Sequence, residues 1–103
     1  MHLHITMKKP SPLKKAEITK LLRQVDSWQV NAKSTVLYKT TTFKDHISAL
    51  VFIARITVHA QVMNHHPDIE FTYKKVKVSL STHDVKGLSK LDFDLAKKID
   101  AIK

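Results

Sequence analysis

The 103-residue sequence contains no cysteine. That excludes a disulfide framework, a thiolate metal site and a cysteine nucleophile, and it fits a reducing compartment. Long apolar runs are missing as well. The longest, Ala49 to Ala54, is closed by Arg55 and falls far short of the roughly 20 residues that span a bilayer. The N-terminal MHLHITMKKP lacks the apolar segment of a secretory signal. These absences lead us to expect a soluble, cytoplasmic protein with no membrane partner. Acidic residues are scarce, 9 Asp and Glu against 18 Lys and Arg, giving a formal net charge of +9. Nucleic-acid binders gather such charge into a stripe on one element. Here Lys8, Lys9, Lys14, Lys15, Lys74, Lys75, Lys77, Lys97 and Lys98 are scattered, which points to solvated faces rather than a nucleic-acid partner.

A chain of this length buries about 60–70% of the surface its unfolded form exposes, enough for one self-sufficient core. No internal repeat or low-complexity tract divides it. We expect a loose arm over residues 1–10, with Met7 as an alternative start, and a single domain over 11–103. Ser11-Pro12 has the form of an N-cap followed by proline at the first helical position. Leu13, Ile18, Leu21, Leu22 and Val25 recur at helical spacing and predict a helix to about Val25. Trp28 to Val30 and Thr35 to Thr42 read as strands around an Asn31-Ala32-Lys33 turn. Thr42-x-x-Asp45 resembles a capping box. It opens a second helix with the apolar stripe Ile47, Leu50, Val51, Ala54, Val58 and Val62. Pro67 bars continuation past His66. Alternation at Ile69, Phe71 and Tyr73, then Val76, Val78 and Leu80, predicts two strands joined near Lys74-Lys75. Gly87, the only glycine, ends a loop, and Ser89-x-x-Asp92 opens a third helix carrying Leu91, Leu95, Ile99 and Ile102. The order α-β-β-α-β-β-α describes an α+β fold, a four-stranded antiparallel sheet with helices on one face.

Three of the seven histidines then fall together. His65 and His66 lie at the exit of the second helix, and His83 follows the last strand. An antiparallel hairpin brings the start of one strand beside the end of the next, so His83 returns to the His65-His66 corner. Three imidazoles hold zinc in some hydrolytic sites. They equally serve as general acid and base near neutral pH. Against both stands the simpler role of histidines that bond the free carbonyls at a helix C-terminus. His2, His4, His46 and His59 belong to no such cluster and read as surface groups.

Taken whole, the pattern has a precedent. NHHP (Asn64 to Pro67), five residues, Tyr73, nine residues, His83, eight residues and Asp92 resembles the signature of the pterin-4a-carbinolamine dehydratases. Phe43, Lys44, Asp45, Ala49, Phe52 and Arg55 extend the likeness, as do LSTHD, GLS and DFDLAKKI toward the end. It runs from about Leu21 to Ile102 and is dense from Phe43 onward. The resemblance implies loss of water from 4a-hydroxytetrahydropterin to give quinonoid dihydropterin, as in tetrahydropterin recycling. It implies no metal and no organic cofactor. By position, His65, His66 and His83 become the acid–base and orienting set, with Asn64, Ser81, Thr82, Asp84 and Gln61 around the pterin.

Asp92 matches the family aspartate but also stands where a capping acid belongs. Tyr73 and Trp28 are further supports by resemblance, and core aromatics on their own reading. Four residues before the first histidine the family commonly has glutamate; this chain has Gln61, which helical spacing puts on the face of His65. The resemblance further implies a homodimer or tetramer. It also carries an alternative function, a non-catalytic dimerisation scaffold or transcriptional coactivator, since animal members pair with a homeodomain transcription factor.

Overall fold

Strict alternation in Lys75–Leu80 places Val76, Val78 and Leu80 on one side of a strand and Lys75, Lys77 and Ser79 on the other. The computed structural model, which describes residues 10–102, builds the molecule around that strand. Its elements are α1 (Lys15–Leu22), β1 (Gln29–Val30), β2 (Leu37–Thr42), α2 (His46–Met63), β3 (Asp68–Thr72), β4 (Lys75–Leu80), a 3₁₀ turn (His83–Val85) and α3 (Lys90–Asp100). The sheet runs β1-β2-β4-β3 with every pair antiparallel. Leu37 pairs Leu80, and Val78 lies between Lys39 and Ile69, so these residues face the helices. Tyr38, Thr40, Lys77, Ser79 and Glu70 form the opposite, polar face. Phe93, Leu95, Ala96 and Ile99 of α3 and Ala49, Ile56 and Ala60 of α2 close the core. The expected element order and α+β class are therefore those observed. The arm predicted over residues 1–10, with His2, His4 and Met7, lies outside the described residues except for Pro10.

Several boundaries differ from the sequence reading, each for a local reason. The first helix starts at Lys15, not after Ser11, because the Leu13 N–H donates to the Leu88 carbonyl at 2.9 Å. That ties the preceding segment to a distant loop. The helix opens instead where the Glu17 carboxylate accepts from the Lys14 N–H at 3.1 Å. It ends at Leu22 rather than Val25. Strand β2 begins at Leu37 because the Asn31 side-chain oxygen takes the Thr35 and Val36 N–H groups, at 2.7 and 2.9 Å. Thr42 ends β2, paired with Lys75, so it does not cap α2. Asp45 does, accepting from the Ser48 N–H at 2.7 Å. That bond, aided by Lys44 and Lys74, holds the Asp45 carboxyl below its ordinary range. The hairpin turn falls at Tyr73-Lys74, with Tyr73 at φ 49°.

The largest correction concerns α2. The stripe Ile47, Leu50, Val51, Ala54, Val58 and Val62 faces away from the core, with Ile47 66% and Val62 80% exposed. The buried line is Ala49, Ile56 and Ala60, flanked by Phe52, Ile53 and Met63. Because α2 is apolar around most of its circumference, periodicity alone does not select the inward face. Small side chains at Ala49 and Ala60 let the helix lie close to its neighbours.

Candidate active site

The site begins with how α2 stops. Asn64 takes the left-handed conformation, φ 50° and ψ 43°, which asparagine adopts more readily than most residues. The His65 backbone N–H then closes the helix on the Ala60 carbonyl at 3.0 Å. Capping is thus done by backbone, and both imidazoles are left for other partners. The turn swings His65 inward to α3, where its Nε2 lies 2.6 Å from Asp92 Oδ1. His66 stays beside the helix, with Nε2 3.2 Å from Gln61 Oε1. The helical-turn partner expected for His65 therefore belongs to His66, since the left-handed residue between them breaks the helical spacing.

Asp92 is fully buried. Its Oδ2 accepts from the Ser89 N–H at 3.0 Å and from the Thr82 hydroxyl at 2.8 Å. Thr82 Oγ1 is also 2.6 Å from Ser89 Oγ. Since the Thr82 proton goes to the carboxylate, Ser89 donates to Thr82 and the chain runs Ser89 to Thr82 to Asp92. A carboxylate accepts and does not donate, so His65 presents Nε2–H to it. Capping and orienting, alternatives in the sequence, are performed by the two oxygens of one side chain.

His83 arrives from the other side. Thr82 and Gly87 exchange backbone bonds, the Thr82 N–H donating to Gly87 O at 2.7 Å, and this pinches off the loop that carries His83 at its start. His65, His66 and His83 then line one cavity of about 960 Å³, together with Asn64, Ser81, Thr82 and Asp84. Gln61 is not among the lining residues and reaches the site only through His66. Trp28 is remote, buried where its Nε1–H donates to Asp100 at 2.8 Å. Tyr73 is remote too, 66% exposed at the far end of the β3–β4 hairpin against the ring of His46. Pro10 to Leu13, Glu17, Met63, Lys90, Leu91 and Asp94 complete the wall, and neither motif nor spacing in the sequence assigns them to the site. The bond of Leu13 to Leu88 brings the 10–13 segment there, while Met63 comes with the end of α2 and Lys90, Leu91 and Asp94 with the first turns of α3. Among the described residues, no three His, Cys, Asp or Glu side chains converge as a metal-ligand set.

The family model described as pterin 4 alpha carbinolamine dehydratase matches residues 11–102, nearly the whole chain. The chain belongs to that family. A provisionally named pterin-4-alpha-carbinolamine dehydratase of Nostoc punctiforme is 42% identical over 91 residues, covering 88% of this chain and 96% of its own. One from Sulfurisphaera tokodaii is 42% identical over 90 residues, covering 87% and 95%. A crystal structure of a transcriptional coactivator/pterin dehydratase from Brucella melitensis superposes with a TM-score of 0.85 at 32% identity, covering 88% of this chain and 97% of that one. A pterin dehydratase-like protein described as a RuBisCO assembly factor in the alpha-carboxysome shares the fold, with a TM-score of 0.64 at 22% identity over 74% of this chain.

Proposed function

We propose that the protein dehydrates 4a-hydroxytetrahydropterin to quinonoid dihydropterin by histidine acid–base catalysis, in the cytoplasm, as a step in tetrahydropterin recycling. The observation that carries this reading is the bond from the buried Asp92 to His65, which lines one cavity with His66 and His83. The elimination breaks the C4a–O bond, and the hydroxyl leaves as water after taking a proton from an acid. The N5–H proton goes to a base while the N5 electrons form the new C4a=N5 bond. Two groups that exchange protons near neutral pH therefore suffice, and imidazoles meet that need. With Nε2–H fixed on Asp92, His65 has Nδ1 as its proton-accepting nitrogen. Asn64, Ser81, Thr82 and Asp84 supply polar groups to orient the pterin. No step calls on a metal or an organic cofactor. Turnover is accordingly expected to survive exhaustive chelation, and a loss of rate restored by added zinc would sink the acid–base reading.

Assembly is a second element of the proposal. Among the described residues, strand β3 is an edge with one side of its ladder unpaired, a feature proteins commonly pair or cover. The outward stripe of α2 is a further surface that a partner would cover. A homodimer or tetramer formed partly through these surfaces is expected, and a strictly monomeric mass by light scattering at micromolar concentration would contradict it. The Brucella melitensis protein is described as a coactivator as well as a dehydratase, and the same stripe offers a surface for a protein partner in a scaffold role.

A further inference from the structure

Thr82 lines the histidine cavity, but it is buried and its hydroxyl is already engaged. The proton goes to Asp92 Oδ2 at 2.8 Å, and the oxygen accepts from the Ser89 hydroxyl at 2.6 Å. Ser89 is fully buried and is not one of the described residues that line the cavity. The Thr82 backbone is engaged separately. Its N–H donates to Gly87 O at 2.7 Å and its carbonyl accepts from the Val85 N–H at 3.1 Å, bonds that hold the loop of His83. One residue is therefore tied through its backbone to the His83 loop and through its side chain to the carboxylate that holds His65.

Asp92 Oδ2 has two donors among the described residues, and they differ in kind. The Ser89 N–H belongs to the cap of α3, the helix that carries Asp92 itself. Only the Thr82 hydroxyl ties the carboxylate to the end of β4. The torsion that sets the plane of an aspartate carboxylate is soft, so an anchor outside its own helix decides where Oδ1 points. We propose that Thr82 and Ser89 are positioning residues: Thr82 fixes the plane of the Asp92 carboxylate, and Ser89 directs the Thr82 proton toward it. The His65 ring is thereby held in register with the His83 loop. The inference rests on the dehydratase reading above and narrows the part of Thr82 in it, since neither hydroxyl exchanges a proton with the pterin.

The test compares Thr82→Val, Thr82→Ser and Ser89→Ala with the parent by steady-state kinetics, thermal melts and proton NMR of the His65 ring. Thr82→Val is expected to lower kcat by about 10–10²-fold with KM little changed, as for a displacement of reacting groups by a fraction of an ångström. The His65 Nε2–H, bonded to Asp92 in the parent, should exchange with solvent about tenfold faster or more. Thr82→Ser keeps the hydroxyl and should recover most of both losses. Ser89→Ala leaves both donors to Asp92 Oδ2 in place and should lower kcat by about three- to tenfold. It carries the test if Thr82→Val does not fold. A raised KM at unchanged kcat would mean that the Thr82 hydroxyl meets the pterin, and overturns the inference alone. So does a lower Tm with unchanged kinetics, or a lower kcat with the His65 ring proton unmoved. A folded parent that does not dehydrate the carbinolamine removes the pterin reading, and this inference with it.

Discussion

Replacing His83 by alanine is expected to lower the dehydration rate by about 10²–10⁴-fold, the usual worth of a positioned acid–base group, while leaving Tm nearly unchanged. Both halves follow from its place. His83 lines the histidine cavity but is exposed at the start of a 3₁₀ turn, and the bonds that hold that turn are backbone bonds between Thr82, Gly87, Val85 and Lys86. Alanine leaves them intact. His65→Ala should behave differently. Its imidazole is the partner of a buried carboxylate oxygen, so removal costs about 1–3 kcal/mol in addition to activity. Steady-state kinetics and thermal melts of the two variants separate these outcomes. Normal specific activity in His83→Ala would remove it from the acid–base set.

Asp92→Ala is expected to have the largest effect on stability. One buried carboxylate there serves the Ser89 N–H, the Thr82 hydroxyl and the His65 Nε2–H. Alanine leaves the Ser89 N–H and the His65 ring without that partner, leaves the Thr82 hydroxyl only Ser89, and removes the acidic half of the capping box of α3. A loss of about 3–5 kcal/mol is the order seen when a buried charged partner is deleted. For a domain of about 100 residues, each kcal/mol lowers Tm by roughly 4–8 °C. Asp92→Asn is the more informative change. The amide keeps the shape and one accepting oxygen but brings an NH₂ toward one of the three donors. It should retain part of the lost stability while still losing about 10²-fold or more in rate, because the His65 tautomer is no longer fixed. A variant as active as the parent would restrict Asp92 to capping.

How much of the molecule is legible in its sequence depends on how local each cause is. Element order is legible because Val76, Val78 and Leu80 alternate and Ser89-x-x-Asp92 caps locally. The histidine corner is legible because Pro67 bars a helix beyond His66 and an antiparallel hairpin returns the end of β4 beside the start of β3. The inward face of α2 is not, since a helix apolar all round carries no directional signal and Ala49, Ile56 and Ala60 are chosen by the fit to sheet and α3. The true start of α1 is hidden because the Leu13 bond to Leu88 spans most of the chain. The exchange of partners at Gln61 is hidden in one backbone angle at Asn64. The walls contributed by Glu17 and Asp94 emerge only with the tertiary path that closes the cavity.

The central claim is tested most directly by following freshly generated 4a-hydroxytetrahydropterin in the presence of purified, chelator-treated protein. The expected result is decay to quinonoid dihydropterin well above the spontaneous rate, saturable in substrate and abolished in the His65→Ala/His83→Ala double variant. Decay at the spontaneous rate with the folded parent protein would contradict it.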